Sequence, residues 1–157
     1  MIAAHLAKRA TVALDTYVVD CAWSSDSTAL AIAGGEGAVL LITRAPANPE
    51  VRKLGQHALG TLAVAWQPGS GTIASSGQDG TLMLWNADAA VSAKLLNSGT
   101  AWTEHLAYAP DGKLAAATGK TLDIWSRAGD RMGPLAPHAS TVAALAWDCL
   151  LYTSRCV

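Results

Sequence analysis

Short stretches of alternating bulky and small residues recur along the chain, and a turn follows each of them. The clearest example lies within residues 57–85, where Leu62, Val64 and Trp66 alternate with small neighbours. A period of two is typical of a β-strand with one bulky face and one tightly packed face. A Pro-Gly turn follows this strand, and Asp79-Gly80 marks a hairpin before a fully apolar run. The pattern predicts a meander of short antiparallel strands that is covered on both faces.

The same pattern repeats with a period near 40 residues. Aromatic residues end four alternating runs and are spaced 43, 42 and 39 residues apart; they are Trp23, Trp66, Tyr108 and Trp147. The apolar run that follows the hairpin turn, the third run of each unit, also recurs at residues 39–42, 82–85 and 122–125. A period near 40 with about four strands per unit is typical of propeller blades. The sequence therefore predicts an all-β fold, a β-propeller fragment built of four-stranded antiparallel blades.

The second unit resembles the WD-repeat family of β-propellers. Gln56-His57 stands where the family has Gly-His, Asp79-Gly80 occupies the tight turn, and Trp85-Asn86 replaces the Trp-Asp pair. The resemblance implies a hydrogen-bond network inside the blade, formed by His57, Ser75, Asp79 and Trp85. Such a network is structural, because a buried carboxylate needs hydrogen bonds and a His can bridge it to a hydroxyl. We therefore do not interpret the Ser, His and Asp as a catalytic triad.

The other units keep less of the motif, and the resemblance covers residues 14–148. In the first unit, Glu36 and Ile42 stand where the second has Asp and Trp; the third has a shorter turn but keeps Trp125. We expect WD-repeat blades over residues 15–148. Their predicted limits are Tyr17 to Leu54 for blade one, His57 to Leu96 for blade two and Trp102 to Leu135 for blade three, and blade four begins at His138. Trp147-Asp148 falls by register on the first strand of blade four.

Both ends of the chain lie outside the regular repeats. Within residues 1–14 we predict a strand over 9–14, and the resemblance implies that such an N-terminal strand can close the ring. At the other end, Cys149 to Ser154 match one translation of the mosaic-end adapter used in transposase-based sequencing libraries. We interpret residues 149–157 as a non-native tail; the alternative is a natural C-terminal strand.

The number of blades bears on association. A WD-repeat ring usually has about seven blades, whereas this stretch holds about three and a half. A partial ring leaves apolar faces uncovered on its first and last blades, and it leaves strand edges unpaired. Self-association through exposed blade faces is therefore expected.

The composition narrows the possible partners and environments. No run approaches the ~20 apolar residues that span a bilayer, and a net charge of −1 gives no basic footprint for nucleic acid. Hence we predict neither a membrane nor a nucleic-acid partner. The three cysteines form no CxxC pair and no Cys-His spacing suited to zinc, so we predict no metal or other cofactor and a reducing, cytoplasmic location. Cys21 is expected in the core, in register with Val64.

An extra aromatic residue is the main candidate for partner binding. Trp102 lies in the loop that enters blade three, where an exposed indole is a reasonable hot spot for a protein partner. Alternatively, Trp102 covers a blade junction. Gln78, Glu36 and Lys120 lie in the turns between second and third strands, at the same end of the predicted propeller, and are expected to surround such a contact.

Two polar residues occupy equivalent positions in blades one and three. Asp20 and His105 each lie three residues before a first-strand aromatic and are predicted to line the central channel. They can bind an ion, anchor water or simply be solvated. Glu104 takes the register of Leu62, which faces the core in the predicted blade, so it needs either a neighbouring cation or a slip of the strand.

Two functions are compatible with this sequence. The favoured one is a non-catalytic scaffold that binds a protein through its end-face loops, with no catalytic residues. The alternative is part of a propeller enzyme, of hydrolase or lactonase type, with its site at the central channel. An enzyme requires several convergent acids or histidines from different blades, and Asp20 and His105 alone fall short of that.

Overall fold

The computed structural model describes residues 11–43, 49–89, 93–97 and 100–148 of the 157-residue chain. These residues form three four-stranded antiparallel sheets, and no helix occurs among them. In each sheet the strands that follow one another in sequence are also neighbours in space. The predicted all-β fold of four-stranded propeller blades is therefore confirmed.

Each blade is one continuous stretch of chain. Blade one consists of β1 (Val18–Trp23), β2 (Ala29–Gly34), β3 (Ala38–Thr43) and β4 (Glu50–Gln56). Blade two consists of β5 (Thr61–Trp66), β6 (Thr72–Gly77), β7 (Thr81–Asn86) and β8 (Ala93–Asn97). Blade three consists of β9 (Thr103–Tyr108), β10 (Leu114–Thr118), β11 (Thr121–Trp125) and β12 (Arg131–Pro134).

Glycine makes the hairpin turn between β6 and β7 possible. Gly80 has φ of 73°, a left-handed conformation that side chains with a Cβ rarely adopt. Its N–H donates to the Gly77 carbonyl at 3.1 Å and closes the turn. The Asp79-Gly80 pair in the sequence is thus a turn signal with a definite backbone cause.

Apolar side chains from both blades fill each junction, and the second strand of the preceding blade contributes alanines there. Between blades one and two, Val64, Ile73 and Trp85 pack against a surface that includes Ala31 and Ala33. The junction between blades two and three repeats this arrangement; it contains Ala74, Leu82, Leu96, Leu114, Ala116 and Trp125. Because each blade turns its bulky face toward the preceding blade, the alternation within each strand builds the core.

The predicted burial of Cys21 is wrong. Cys21 shares the register of Val64, yet Val64 is buried between two blades and Cys21 is exposed. Trp23, on the same side of β1, is also exposed, at 59%. The bulky face of blade one has no blade against it in the described part of the chain, so this register position leads to the surface here.

A bulge interrupts the first strand of every blade at the same position. The pairing between first and second strands shifts at Val19, Leu62 and Glu104, each of which is an additional residue in the ladder. A bulge re-aims the extra side chain, and Glu104 is exposed rather than buried. Of the two outcomes predicted for Glu104, the slip of the strand is confirmed, and it takes the side chain out of the core.

The ends differ from the repeats. Residues 11–14, part of the strand predicted over 9–14, pair with no sheet, and residues 1–10 lie outside the described residues. Residues 135–148 contain no strand either, although several hydrogen bonds hold this segment on blade three. The N–H groups of Leu135, His138 and Val142 donate to the carbonyls of Leu122, Lys120 and Gly119. The Trp147 indole donates to the Ala107 carbonyl, and Lys120 Nζ donates to the Ala139 carbonyl. The predicted tail over 149–157 also lies outside the described residues.

Candidate functional site

The four motif residues of blade two meet at the junction with blade one. The Trp85 indole N–H donates to Ser75 Oγ at 2.7 Å, and Ser75 Oγ lies 2.7 Å from His57 Nε2. On its other side, His57 Nδ1 is 3.4 Å from Asp79 Oδ1. Asp79 Oδ2 accepts the backbone N–H of Ala58 at 2.8 Å. The network therefore ties the second and third strands of the blade to the loop that enters it.

Thr81 is a fifth member that sequence reasoning missed. Its hydroxyl lies 2.9 Å from His57 Nδ1 and donates to Asp79 Oδ1 at 2.6 Å, so it makes the shorter link between the two. Its own N–H also donates to Asp79 Oδ1. Thr81 follows the Asp79-Gly80 turn directly, and a hydroxyl after such a turn is the signal that could have identified it.

The hydrogen bonds assign the proton on His57. Ser75 accepts from Trp85, so its own O–H donates to Nε2 of the imidazole. Thr81 donates to Asp79, so its oxygen accepts from Nδ1–H. We assign the neutral Nδ1–H tautomer from this chain of donors and acceptors. Every polar group then has a partner, and Ser75 is fully committed rather than poised as a nucleophile.

Burial and hydrogen bonding act differently on the two titratable members. Desolvation lowers the pKa of His57 below its ordinary value of 6.5 and outweighs the opposing effect of the Asp79 carboxylate. For Asp79, burial acts to raise the pKa, but hydrogen bonds from Thr81 and Ala58 outweigh it and the net shift is downward. The site therefore holds a neutral imidazole beside a carboxylate at neutral pH.

Stability is expected to fall on mild acidification because of His57. Between its lowered folded-state pKa and its unfolded pKa near 6.5, the unfolded chain binds more protons. The unfolding free energy therefore rises with pH in that window, and the contribution of His57 is lost as pH falls through it. Urea unfolding from pH 8 to 5 measures the slope, which His57→Gln should flatten. His138→Gln, at an exposed histidine, is the control; an equal slope in wild type and His57→Gln would contradict this assignment.

The side of the first strands that is predicted to face a central channel holds a second group of polar residues. Asp20, Glu104 and His105 line a cavity of about 370 Å³ with Leu62 and Ala63. The predicted channel residues therefore share one cavity. No group of three or more His, Cys, Asp or Glu in the described ranges is arranged to hold a metal ion.

Asp20 connects two blades across this cavity. Its Oδ2 accepts the backbone N–H of Val64 in blade two at 3.0 Å, and Oδ1 accepts the N–H of Cys21 at 2.8 Å. Val64 lies close after the Leu62 bulge. Asp20 thus stabilises the blade junction beside a strand irregularity, which is a structural role.

The end face around the β8–β9 loop carries the predicted partner-binding residues. Trp102 is 54% exposed. Glu36 and Lys120 are also exposed and Gln78 is half-buried. Lys120 Nζ donates to the Ala139 carbonyl at 2.9 Å and so holds the segment that covers blade three. Leu59, at 55% exposure, adds a second apolar side chain in the corresponding loop before β5.

Comparisons with known proteins support this architecture. The family model described as "WD domain, G-beta repeat" matches residues 48–86, the stretch that contains the His57 network. A solved structure, the computationally designed Ika4 protein, is similar over 87% of this chain and 82% of its own, with a TM-score of 0.72 and 16% identity. No curated protein matches the chain. The resemblance to WD-repeat propellers is thus confirmed, by the family model for one repeat and by the fold for the described blades.

Within the described ranges, no helix is long and apolar enough to cross a bilayer.

Proposed function

We propose that the chain is a non-catalytic scaffold that binds a protein partner through the end face defined by Trp102, Leu59, Glu36, Gln78 and Lys120. The observation that carries the proposal is the exposed indole of Trp102 in a loop between two ordered blades. Aromatic side chains held on a rigid framework lose little entropy on binding, and Trp is enriched among interface hot spots. The charged side chains at this end suit the polar rim of such a contact.

The hydrogen-bond network supports the non-catalytic part of the proposal. His57 and Ser75 are buried at a blade junction, and their polar atoms are already paired within the blade. A nucleophile must reach a substrate, which Ser75 cannot do from this position. The WD repeat over residues 48–86 agrees with an interaction module.

Blade one supports two further parts of the proposal, the cellular location and the self-association. Its free, exposed thiol at Cys21 suits the reducing cytoplasm that we propose. The uncovered bulky face around Trp23 suits self-association with a second copy, since exposed apolar surface of this kind marks interaction sites. Neither interaction requires nucleic acid, a membrane or a cofactor.

Replacement of Trp102 by Ala is expected to reduce partner recovery at least tenfold, because loss of a hot-spot Trp costs about 2 kcal/mol or more. Immobilised wild type and Trp102→Ala are incubated with an extract of the source cells, and bound proteins are quantified by mass spectrometry. Leu95→Ala is the matched control, since Leu95 is exposed to 58% on the outer strand of blade two.

A protein retained by wild type and Leu95→Ala but lost with Trp102→Ala identifies the partner. If every retained protein binds Trp102→Ala equally well, the end-face proposal fails. Sedimentation of the same three proteins over a range of concentrations reports self-association, which the proposal places on blade one and which Trp102→Ala should leave unchanged.

A further inference from the structure

Two Asp-Gly pairs occur in the sequence, Asp79-Gly80 and Asp111-Gly112. An aspartate before a glycine can react with its own main chain, because the glycine has no side chain to obstruct the approach of its nitrogen to the carboxyl carbon. In the structure each pair lies in a turn, the first between β6 and β7 and the second between β9 and β10. The two turns therefore offer the same chemistry in two different surroundings.

The main chain is held in the same way in both turns. Gly80 and Gly112 are buried and have left-handed backbones, with φ of 73° and 88°. The N–H of Gly80 donates to the Gly77 carbonyl at 3.1 Å. The N–H of Gly112 donates to the Ala109 carbonyl at 2.9 Å, again three residues back. Since the nitrogen that reacts is equally engaged at both sites, the two sites differ chiefly in their carboxylates.

The carboxylate of Asp79 is held on both of its oxygen atoms. Its side chain is only 12% exposed. The hydroxyl and the N–H of Thr81 donate to Oδ1, and the N–H of Ala58 donates to Oδ2. To present its carbon to the Gly80 nitrogen, this carboxylate would have to leave donors that belong to the buried His57 network, and unpaired buried donors are costly. The network therefore protects Asp79 from the reaction.

The carboxylate of Asp111 is open to water. Its side chain is 55% exposed, and it accepts hydrogen bonds from Nζ and the backbone N–H of Lys113. These bonds lower the pKa of Asp111 below its ordinary value, so the carboxyl group reacts through its minor protonated form. The Lys113 side chain is itself exposed, and water readily replaces an exposed ion pair. The Asp111 carboxyl group is therefore free to turn toward Gly112.

We propose that Asp111 is a site of spontaneous covalent modification, at which it converts to isoaspartate, and that Asp79 is protected from this reaction. The Gly112 nitrogen attacks the side-chain carboxyl carbon of Asp111 and loses its proton, the carboxyl group loses its hydroxyl, and a succinimide ring closes with release of water. Water then adds to the main-chain carbonyl of the ring, and the bond from that carbon to the Gly112 nitrogen breaks. The main chain now runs through the side-chain carbon, and the water released is taken up again.

The modification is expected to loosen the junction between blades two and three. Isoaspartate lengthens the main chain by one methylene group directly before Gly112. The Gly112 carbonyl accepts the side-chain amide of buried Gln67, from blade two, at 3.1 Å. Displacement of this carbonyl leaves the amide with a weaker contact. The inference is independent of the scaffold function, because β9 separates this turn from the loop that carries Trp102.

Peptide analysis of aged protein tests the proposal. The full chain is kept at neutral pH, well below its unfolding temperature, and is then digested with trypsin, which places Asp79 and Asp111 on the separate peptides 54–94 and 95–113. Electron-transfer fragmentation distinguishes isoaspartate from aspartate in each peptide. Isoaspartate at position 111 is expected to exceed that at position 79 at least about tenfold, because Asp79 must first leave buried donors unpaired.

Two variants and one change of solvent show the cause. Asp111→Glu should abolish the product at position 111, since the larger ring closes far more slowly. Lys113→Ala should increase it about twofold or more, because a larger fraction of the carboxyl group is then protonated. In concentrated urea, Asp79 and Asp111 should react at rates within about threefold of each other, because unfolding removes the donors that distinguish them.

Equal amounts of isoaspartate at the two positions in the folded chain, or none at position 111, would overturn the inference. A preference for position 111 that persists in urea would show that the adjacent residues cause it and that the His57 network gives no protection. Urea unfolding of fresh and aged protein measures the consequence. Aged wild type should unfold at a lower urea concentration, whereas Asp111→Glu should not change with age. An unchanged midpoint in wild type that carries isoaspartate at position 111 would refute the loosened junction.

Discussion

Gly55→Ala will lower the unfolding free energy by about 3 kcal/mol, near the upper end of the cost of overpacking a core. Gly55 belongs to β4 of blade one, and a Cβ built on it collides with the Cζ3 and Cη2 atoms of Trp85 in blade two. The indole cannot easily retreat, because its N–H is bound to buried Ser75 and its ring is part of the junction core. Denaturant unfolding followed by tryptophan fluorescence measures the change.

A second glycine in the same blade provides the matched control. A Cβ at Gly35 would meet its nearest neighbour, Tyr17 Cβ, at 3.5 Å, which is an ordinary contact. Gly35→Ala should therefore change the unfolding free energy by less than about 1 kcal/mol. If the collision is the cause, Gly55→Ala will also cost less in a Trp85→Leu background. An equal cost in both backgrounds would show that the glycine acts through its backbone and not through the indole.

Much of the fold could be read from local pattern. Alternation sets the strand faces, Gly and Asp mark the turns, and the recurrence of Trp66 and its counterparts gives the blade period. These features depend on neighbours within one hairpin, so they are visible in sequence. The prediction of His57, Ser75, Asp79 and Trp85 came instead from the resemblance of the second unit to a WD repeat, which implies this network.

Features that depend on the next blade could not be read in this way. Cys21 and Val64 have the same register, and only the presence of a neighbouring blade distinguishes an exposed residue from a core residue. Glu104 sits at a bulge, which changes the direction of one side chain without a glycine or proline to mark it. A period-two pattern assumes an uninterrupted ladder, so it could only indicate that Glu104 requires a neighbouring cation or a slip of the strand.

Ser75→Ala is expected to lower the unfolding free energy by about 3 kcal/mol. The hydroxyl is the hub of the network, since it accepts from Trp85 Nε1–H and donates to His57 Nε2, both at 2.7 Å. Its removal leaves two buried polar groups without partners, and each costs about 1–3 kcal/mol. The cavity left by one oxygen atom is too small for a well-bonded water to replace both bonds. Urea unfolding at pH 8, where His57 is neutral, measures the effect.

The adjacent Ser76 is the control, because its hydroxyl makes one hydrogen bond where that of Ser75 makes two. Ser76 is equally buried, and its hydroxyl donates only to the Thr103 carbonyl, at 2.8 Å. Ser76→Ala should therefore cost about 1 kcal/mol, the usual net value of one neutral hydrogen bond. In a Trp85→Phe background, Ser75→Ala should cost less, because one of the stranded groups is already absent. If Ser75→Ala costs no more than Ser76→Ala, or if Trp85→Phe leaves its cost unchanged, Ser75 does not link the indole to the imidazole, and the blade depends on packing alone.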